Sequence, residues 1–515
     1  MKLNYKRTIF VGFAFLLICA FWQAYDNIVP KILTDKFGLS QTVSGAIMAV
    51  DNVLALFLLP LFGTLSDRTK SKFGRRTPYI VIGTLVAAIA LVGLSVPDAM
   101  ARDNIEAVIG AEGEAYTESL TVLWEDNPTI LAEKDGEMGR YPLQDVITRE
   151  AFFAIPAEGG EAFTEYVVPA RQAYAAERTS EQPTALLLFI GMLFILLVSM
   201  GTFRSPAVAL MPDVTPRPLR SKGNAIINLM GTAGGIFVLV LGIVLGTGKV
   251  AKTHMSYVVF FSVVSVLMLT ALALFLARVR EVKWVEEMEA ESAENGITED
   301  TPTTEATEMR RLSRPELVSL LLILASVVFW YMAYNAVTSK YSVYAGAVLQ
   351  MDYNTTLLIA QAAAIVSYIP VGILSSRFGR KKMILAGVVC LGTAFFAAAF
   401  LRAGSSVLLM DVFFVLAGIG WATINVNSYP MVVELARGGN VGKYTGYYYT
   451  ASMAAQVVTP IFSGALMDTL GFTTLFPYAT VFVALALVTM FFVRHGDAKP
   501  LAADVVRDGI AGEAD

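Results

Sequence analysis

The sequence predicts an all-α integral membrane protein with twelve transmembrane helices arranged as two parallel six-helix repeats. Three observations support this prediction. First, 55% of the 515 residues are hydrophobic and only 16% are charged, whereas soluble domains carry about 25% charged residues. Second, apolar runs of about 20 residues, the length that crosses a bilayer as a helix, recur along the chain. Third, short motifs of the first half return in the second half in the same order.

The apolar runs define the predicted spans. Their approximate ranges are 8–32, 41–65, 78–96, 184–208, 224–247, 256–277, 316–340, 354–376, 383–402, 406–428, 445–467 and 473–494. The first run is too long for the apolar region of a signal peptide, so we expect it to be retained as a span. Lys and Arg concentrate in alternate loops, which places both termini in the cytoplasm by the positive-inside rule. We therefore expect a multi-pass protein embedded in the lipid bilayer of the plasma (inner) membrane.

Two polar segments complete the predicted domain organisation. Residues 97–183 form an acidic outer insertion, whose apolar fragments allow either a small folded subdomain or disorder. Residues 278–315 are acidic and almost lack aromatic side chains, which indicates a flexible cytoplasmic linker. This linker separates an N-terminal half, 1–277, from a C-terminal half, 316–494. A cytoplasmic tail is predicted for 495–515.

The internal repeat consists of matched residues at a nearly constant separation. An Asn follows a Trp by five positions in the first span of each half, and a polar residue precedes a Pro by nine positions in the next span. The matched residues, first copy and second copy, are Trp22 and Trp330, Asn27 and Asn335, Asp51 and Gln361, Pro60 and Pro370, and Gly63 and Gly372. Because six is an even number of spans, the two copies have the same orientation in the membrane.

The loop after the second span, GTLSDRTKSKFGRRTPY at 63–79, has a distinctive motif. Together with the duplication it resembles the major facilitator superfamily over the whole chain, and its long form resembles the sucrose-transporter-like branch of the glycoside–pentoside–hexuronide cation symporters. Thr77 departs from that branch, which usually carries an arginine there. PAVALMPD at 206–213 resembles the fourth-span ending of the branch, with Val208 in place of an arginine and Arg204 one helical turn earlier. The resemblance implies sugar transport by alternating access.

The charges of the 63–79 loop have two interpretations. They anchor the topology of the neighbouring spans, and the resemblance implies in addition that they form an inner gate. Ion pairs across the two halves, between loop residues and facing carboxylates, would then hold the gate shut and break when it opens. The second copy has Ser376 in place of the loop aspartate, so we expect an asymmetric gate. The predicted gating residues are Asp67, Arg68, Arg75, Arg76, Asp213 and Glu434.

Two aspartates lie inside predicted spans, Asp26 in the first and Asp51 in the second, at similar depth from the outer ends. A charged side chain at the centre of a span costs about 2.5–3.5 kcal/mol to insert, which makes each a candidate functional residue. Two neighbouring carboxyls in an apolar environment can take up and release a proton; alternatively, each is a neutral, hydrogen-bonded structural group. Related Na⁺-binding symporters carry carboxylates nearer the loop, where this chain has Ala55 and Leu59. A proton is therefore favoured over Na⁺ as the coupling ion.

Sugar sites combine aromatic faces with amides and charged groups that bind hydroxyls. The predicted substrate-binding residues are Trp22, Tyr25, Asn27, Asn52 and Arg204 in the first half, and Trp330, Tyr334, Asn335, Gln361, Trp421 and Asn425 in the second. Each aromatic taken singly is also explained by packing or by an interfacial position. Arg204, which its place in span four puts about 15 Å deeper than Asp51, either binds substrate hydroxyls or extends to the cytoplasm.

These features favour a proton-coupled symporter of a sugar, such as the disaccharide sucrose or another glucoside. The alternatives are an exporter or exchanger of another polar metabolite, and a non-transporting sensor on the same fold with the insertion as its binding module. The sequence contains no H-E-x-x-H motif, no nucleophile motif and no nucleotide-phosphate loop. We therefore expect no enzymatic activity, no cofactor and no metal site. We also expect a monomer without a nucleic-acid partner.

Overall fold

The computed structural model forms two compact units. Unit 1 holds the described residues of Met1–Thr303 together with Tyr341–Thr355, and unit 2 holds Thr304–Lys340 and the described residues from Thr356 onward. This division differs from the predicted halves, because the outer end of the seventh span belongs to unit 1. The described residues are 3–134, 137–157, 159–216, 219–249, 252–294, 313–435 and 441–496. Most of the predicted linker and tail, 295–312 and 497–515, thus lies outside them.

The predicted helical membrane architecture is confirmed. Among the described residues, eleven helical segments are long and apolar enough to cross a membrane, and α14 occupies the remaining predicted span. The helices and strands that begin in unit 1 are α1 (Tyr5–Lys31), α2 (Gln41–Arg68), α3 (Thr77–Gly93), α4 (Ser95–Asn104), α5 (Gly113–Asp126), β1 (Thr129–Lys134), β2 (Glu137–Pro142), α6 (Leu143–Val146), α7 (Arg149–Phe153), α8 (Val168–Glu181), α9 (Thr184–Asp213), α10 (Arg220–Leu245), α11 (Val258–Arg278) and α12 (Glu281–Glu294). The later helices are α13 (Arg314–Tyr344), α14 (Tyr353–Phe378), α15 (Arg380–Ala398), α16 (Val407–Glu434), α17 (Val441–Leu470) and α18 (Leu475–Phe492).

Close helix packing in unit 1 sets the positions of the polar side chains. Helix α1 packs against α10 and α11, and α9 packs against α2 and α3. A Cβ atom on Gly234 of α10 would collide with the backbone carbonyl of Leu16 on α1, and one on Gly201 of α9 would collide with Leu58 of α2. Small residues at such crossings let the helix backbones approach closely. As a result, polar residues of α1, α2 and α9 face one another.

The first helix of each half ends in the same way. Helix α1 continues into a π-helical turn, Ile32–Lys36, and α13 continues into a π-helical turn, Ala345–Leu349. The apolar runs indicated that these spans end near residues 32 and 340, so both helices extend further than predicted. The shared ending is a structural match between the two copies that short sequence motifs did not reveal.

The outer insertion is a folded subdomain. The third span continues through α4 to Asn104, beyond the predicted boundary at residue 97. Beyond it, α5 to α8 and the antiparallel β1–β2 hairpin enclose a separate apolar core that includes Leu123, Phe152 and Val167, all fully buried. Of the two alternatives left open by the sequence, the folded one is correct.

Within unit 1, the insertion packs against the C-terminal end of α1 and against the segment that follows α13. Gly160 N donates a hydrogen bond to Gln350 Oε1 at 2.7 Å, and Gln350 Nε2 donates to Gly160 O at 2.7 Å. Gly160 has φ +122°, a conformation that favours glycine. On the α1 side, Gln172 Nε2 donates to Asp35 Oδ1 at 3.1 Å. The insertion is thus attached to helices that the sequence gave no reason to connect with it.

The beginning of the predicted flexible linker is helical, and the prediction is wrong for this part. Helix α12 buries Trp284 and Met288, which lie one turn apart and form an apolar face. The Arg7 guanidinium lies over the Trp284 ring at 5.4 Å and forms an ion pair with Glu287. Two buried apolar side chains are a weak signal in an acidic segment, which is why composition alone indicated disorder.

Candidate functional site

The two intramembrane aspartates and Arg204 form one electrostatic cluster. Asp26 on α1, Asp51 on α2 and Arg204 on α9 are partly buried, and each interacts electrostatically with the other two. Among the described residues, no direct ion pair joins Arg204 to either carboxylate. The sequence placed Arg204 deeper than Asp51, yet Arg204 interacts electrostatically with both carboxylates, and its helix α9 packs against α2.

Trp22 connects this cluster to an aromatic surface. The Arg204 guanidinium lies over the Trp22 ring at 5.2 Å, a cation–π arrangement. Tyr25 packs edge-on against Trp22 with ring centroids 5.4 Å apart, but its hydroxyl donates to Met48 O at 3.3 Å. The Tyr25 hydroxyl therefore links α1 to α2 and is already hydrogen-bonded. Trp22, by contrast, lies beside the Arg204 guanidinium, which is able to bind hydroxyls.

Asn52 contacts its neighbour in sequence. Its Nδ2 donates a hydrogen bond to Asp51 Oδ1 at 2.6 Å. This bond fixes one carboxyl oxygen of Asp51 and leaves the other for a different partner. The geometry therefore favours a positioning role for Asn52 over the predicted direct contact with substrate.

The predicted residues of the C-terminal half form an aromatic cluster in unit 2. Tyr334 stacks on Trp421 with ring centroids 3.5 Å apart and planes 1° from parallel. Tyr331, which the sequence interpretation did not include, packs edge-on against Trp421 at 5.3 Å. Gln361 and Asn425 are partly buried. Stacked rings of this kind present a flat apolar surface of the type that binds the C–H face of a sugar.

Both first helices carry buried donors without partners at equivalent positions. Within the described part of the chain, no hydrogen-bond acceptor is found for Trp22 Nε1 or Asn27 Nδ2 on α1, nor for Trp330 Nε1 or Asn335 Nδ2 on α13. An unsatisfied buried donor costs about 1–3 kcal/mol. Such atoms are therefore candidates for contact with a polar ligand. Because a Trp and an Asn carry unpaired donors in both copies, we infer that the two pairs have the same role.

The charged loop after α2 is organised around Asp213. Arg75 Nη2 lies 2.8 Å from Asp213 Oδ1 and Arg76 Nε lies 2.9 Å from Asp213 Oδ2, while Arg76 Nη2 lies 2.5 Å from Asp67 Oδ1. Burial acts to lower the pKa of Arg76, but the hydrogen bond and charge of Asp213 and the charge of Asp67 outweigh it, so this pKa is raised. Arg68 is exposed. Asp213 and Asp67 are thus partners of the loop arginines, as the sequence predicted.

The pairing across the two halves stays a prediction. The ion pairs made by Arg75 and Arg76 within the described residues all lie in unit 1. The side chain of Glu434, the predicted partner in the C-terminal half, lies outside what the structure describes. These pairs therefore organise the loop against its own half.

Glu281 is a central residue of this loop that sequence reasoning missed. Its carboxylate accepts four hydrogen bonds, from the backbone N–H groups of Arg75, Arg76 and Thr77 and from the Thr77 hydroxyl, at 2.7–2.8 Å. A carboxylate at the N-terminus of α3 satisfies donors that have no partner within the helix and interacts favourably with the helix dipole. The only signal in the sequence is an acid that follows span six, which many loops contain.

Glu281→Gln is expected to lower the free energy of unfolding by about 2 kcal/mol, because the amide loses the charge and one acceptor oxygen facing these donors. Denaturation of the detergent-solubilised protein measures the change. Glu289→Gln, an exposed residue on the same helix, is the matched control and should change stability by less than about 0.5 kcal/mol. Equal effects of the two substitutions would show that the capping bonds contribute nothing.

Two family models match the chain. The model described as Major Facilitator Superfamily matches residues 173–367 and 350–507, and the model described as MFS/sugar transport protein matches residues 10–107. Together they cover both halves. The first alone extends over more than half of the chain.

Curated relatives match shorter regions. A putative glycoside/cation symporter, YagG, of Escherichia coli (strain K12) is 35% identical over 89 residues, which cover 17% of this chain and 19% of the relative. A Na⁺, Li⁺, K⁺/H⁺ antiporter of Planococcus maritimus is 27% identical over 160 residues, covering 31% of this chain and 37% of the relative. The chain therefore matches less than two thirds of the length of these relatives.

The fold is similar to that of a solved sugar transporter. The inward-open structure of the xylose transporter XylE from E. coli superposes with a TM-score of 0.60 at 13% identity, covering 98% of this chain and 99% of that one. At this identity the likeness concerns the fold alone.

Proposed function

Since this chain belongs to the major facilitator superfamily, we propose that it is a secondary transporter that couples the movement of a sugar to that of a proton. The observation that carries the proposal is the cluster of Asp26, Asp51 and Arg204 inside membrane helices, beside the Trp22 ring. Charged groups at such positions are costly and are associated with ion and substrate pathways.

The proposed coupling step is a change in the charge of this cluster. A proton from outside binds one carboxylate, Asp51 or Asp26, and removes one negative charge near Arg204. The guanidinium is then attracted less strongly by the carboxylates and donates hydrogen bonds to sugar hydroxyls. On the cytoplasmic side the sugar leaves, and the proton dissociates from the same carboxyl. Sugar and proton therefore travel together, because each favours the form of the cluster that binds the other.

The aromatic residues supply the remaining contacts in this proposal. Within unit 1, Trp22 is proposed to bind an apolar face of the sugar ring. Within unit 2, the Tyr334–Trp421 stack is proposed as a surface of the same type. The unpaired donors of Asn27 and Asn335 are proposed to bind hydroxyl oxygens. The loop motif at 63–79 supports a disaccharide or glucoside such as sucrose. The printed name of the E. coli relative, a glycoside/cation symporter, is consistent with this class.

The same proposal includes the arrangement in the membrane. The distribution of Lys and Arg supports a plasma (inner) membrane protein with both termini in the cytoplasm. We propose that the monomer is the transporting species, since both candidate clusters are present in one chain.

Uptake into proteoliposomes tests the function. Purified protein is reconstituted, and labelled mono- and disaccharides, including sucrose, are added with an inward proton gradient, with an inward Na⁺ gradient, or with neither. We expect accumulation of at least one sugar only under the proton gradient, abolished by a protonophore. Accumulation driven by Na⁺ alone would overturn proton coupling, and no accumulation of any sugar would overturn sugar symport.

An exchanger of cations for protons is the second candidate, favoured by the similarity to the Planococcus maritimus antiporter. The same liposomes, loaded with a pH-sensitive dye, distinguish the two. In a sugar symporter the dye responds to a sugar gradient. In a cation/proton antiporter it responds to Na⁺, Li⁺ or K⁺ without any sugar.

Asp67→Asn is expected to slow sugar transport severalfold while leaving the dissociation constant of the sugar close to wild type. Asp67 is 57% exposed and pairs with the almost buried Arg76, so its loss disturbs the proposed gate and spares the sugar contacts. Initial rates in proteoliposomes and equilibrium binding in detergent measure the two quantities. Asp126→Asn, at an exposed position of the insertion, is the control for loss of one surface charge. Loss of sugar binding in a folded Asp67→Asn protein would contradict the gating role.

A further inference from the structure

A second polar cavity lies beneath the outer insertion, within unit 1 and apart from the Asp26–Asp51 cluster. Its volume is about 30 Å³, enough for a monatomic ion or about two water molecules. The wall combines four parts of the chain: the insertion, the outer end of α1, the loop before α11 and the outer end of α13. The polar residues that line it are Lys31, Asp35, Arg171, Gln172, Thr253, His254 and Ser342.

Three polar atoms of this wall have no partner in the described part of the chain: Arg171 Nε, His254 Nε2 and Ser342 Oγ. Arg171 is 7% exposed and Ser342 is 1% exposed, so solvent does not satisfy them from the open surface. The Arg171 guanidinium is held in place by a bond from Nη2 to Gly110 O at 2.8 Å. Three unsatisfied buried groups around one cavity indicate that the cavity holds a polar occupant.

The charges around the cavity favour an anion over water. Among the described residues Arg171 forms no ion pair, and a buried guanidinium without a counter-charge is costly. Asp35, the carboxylate in the wall, already accepts hydrogen bonds from Gln172 Nε2 at 3.1 Å and from Thr34 Oγ1 at 3.3 Å. It also interacts electrostatically with Lys31. The charge of Asp35 is therefore engaged by a cation, whereas the partners of the Arg171 guanidinium are all neutral: Gly110 O, Ser119 Oγ and the Phe163 ring.

His254 reports on the same electrostatic environment. Burial lowers its pKa well below the ordinary value, and the positive charges of Arg171, Lys36 and Lys31 lower it further. Three cations therefore act on the side chain of His254, which lines the cavity. Lys36 is itself paired with Asp98, so Arg171 and Lys31 are the cations in the wall that face the cavity.

We propose that this cavity binds a small monovalent inorganic anion such as chloride, held by Arg171 and Ser342 with Lys31 nearby. The anion accepts hydrogen bonds from Arg171 Nε and Ser342 Oγ and balances the guanidinium charge. Arg171 belongs to the insertion and Ser342 to the C-terminal end of α13. The bound anion therefore bridges the insertion and this helix end. This site lies beyond the proposed transport function and does not depend on it.

Thermal unfolding of the full-length protein in detergent, followed by tryptophan fluorescence, tests the proposal. Sodium gluconate is replaced stepwise by sodium chloride or bromide at constant ionic strength. We expect saturable stabilisation of the wild type by both halides. Arg171→Gln should raise the half-saturating chloride concentration about tenfold or more, because it removes a charged donor. Arg178→Gln, on the same helix, changes a side chain that is 39% exposed and pairs with Glu181 at the surface, and it should leave this concentration unchanged.

Two further measurements make the test independent of whether Arg171→Gln folds. Ser342→Ala, a small change at the α13 side of the wall, should raise the half-saturating concentration about fivefold, as expected for one neutral hydrogen bond. A crystal grown in bromide should show an anomalous peak within hydrogen-bonding distance of Arg171 and Ser342. Absence of saturable halide stabilisation in the wild type, or an equal response of Ser342→Ala and the wild type, would overturn the proposal. Water without halide in the cavity would do so as well.

Discussion

Asp51→Asn is expected to abolish the accumulation of sugar driven by a proton gradient. Asparagine keeps the shape of the side chain but cannot change its charge, so the Asp51–Arg204 interaction no longer depends on protonation. Exchange of sugar at equal pH should survive at a reduced rate, because Trp22 and the other proposed sugar contacts remain. Proteoliposome uptake with and without a pH gradient measures the two activities in the same preparation.

The double variant with Asp26→Asn separates a shared proton site from two independent ones. Since both carboxyls interact electrostatically with each other and with Arg204, their substitutions should be non-additive. Asp411→Asn, a partly buried carboxyl in another membrane helix, α16, is the matched control and should retain uphill transport. If Asp51→Asn still concentrates sugar with the pH dependence of the wild type, Asp51 is structural and the coupling role passes to Asp26.

Asp98→Asn is expected to lower the free energy of unfolding by about 3–5 kcal/mol, the usual effect of removing one partner of a buried ion pair. Lys36 Nζ lies 2.5 Å from Asp98 Oδ1, and both side chains are 0% exposed. The substitution leaves a buried ammonium with the Met255 carbonyl, 2.7 Å away, and the Tyr257 ring as its remaining contacts. Denaturation of the detergent-solubilised protein measures the loss.

The controls separate burial from charge. Lys134 and Asp145 form the same type of pair at the surface of the insertion, with side chains 35% and 52% exposed. Asp145→Asn should therefore change stability by less than about 1 kcal/mol. Combining Asp98→Leu with Lys36→Met removes both charges and should recover most of the loss. Equal destabilisation by Asp98→Asn and Asp145→Asn would contradict the importance of burial.

The helices were predictable because the bilayer imposes a length and a hydrophobicity that are local in sequence. The duplication was predictable because Trp22 and Asn27 recur as Trp330 and Asn335 at one separation. Asp213 was predictable as one of two candidate partners of the loop arginines, from charge together with the resemblance to a transporter family. Each of these features depends on residues that are close in sequence or on a motif that is repeated.

What the sequence could not predict depends on the packing of distant elements. Arg204 interacts electrostatically with both carboxylates, and its helix α9 packs against α2, which no motif encodes. Glu281 caps α3 from 204–206 positions away along the chain. The attachment of the insertion to Gln350 spans 190 positions. In each case the residue type is ordinary, and only the fold gives it a partner.

The outer end of α1 has a consequence for how the protein is made. Lys31 donates to Thr247 O and Lys36 to Met255 O, whose residues leave the ribosome 216 and 219 positions later. Gln350 leaves later still. Lys36 can meet Asp98 after only 62 positions, but neither ammonium group has its carbonyl acceptor until Thr247 and Met255 are made, and burial without these acceptors is costly. Helix α1 is therefore made before the other described helices but is among the last to complete its contacts, and a nascent chain that stops before residue 341 lacks part of the unit that α1 belongs to.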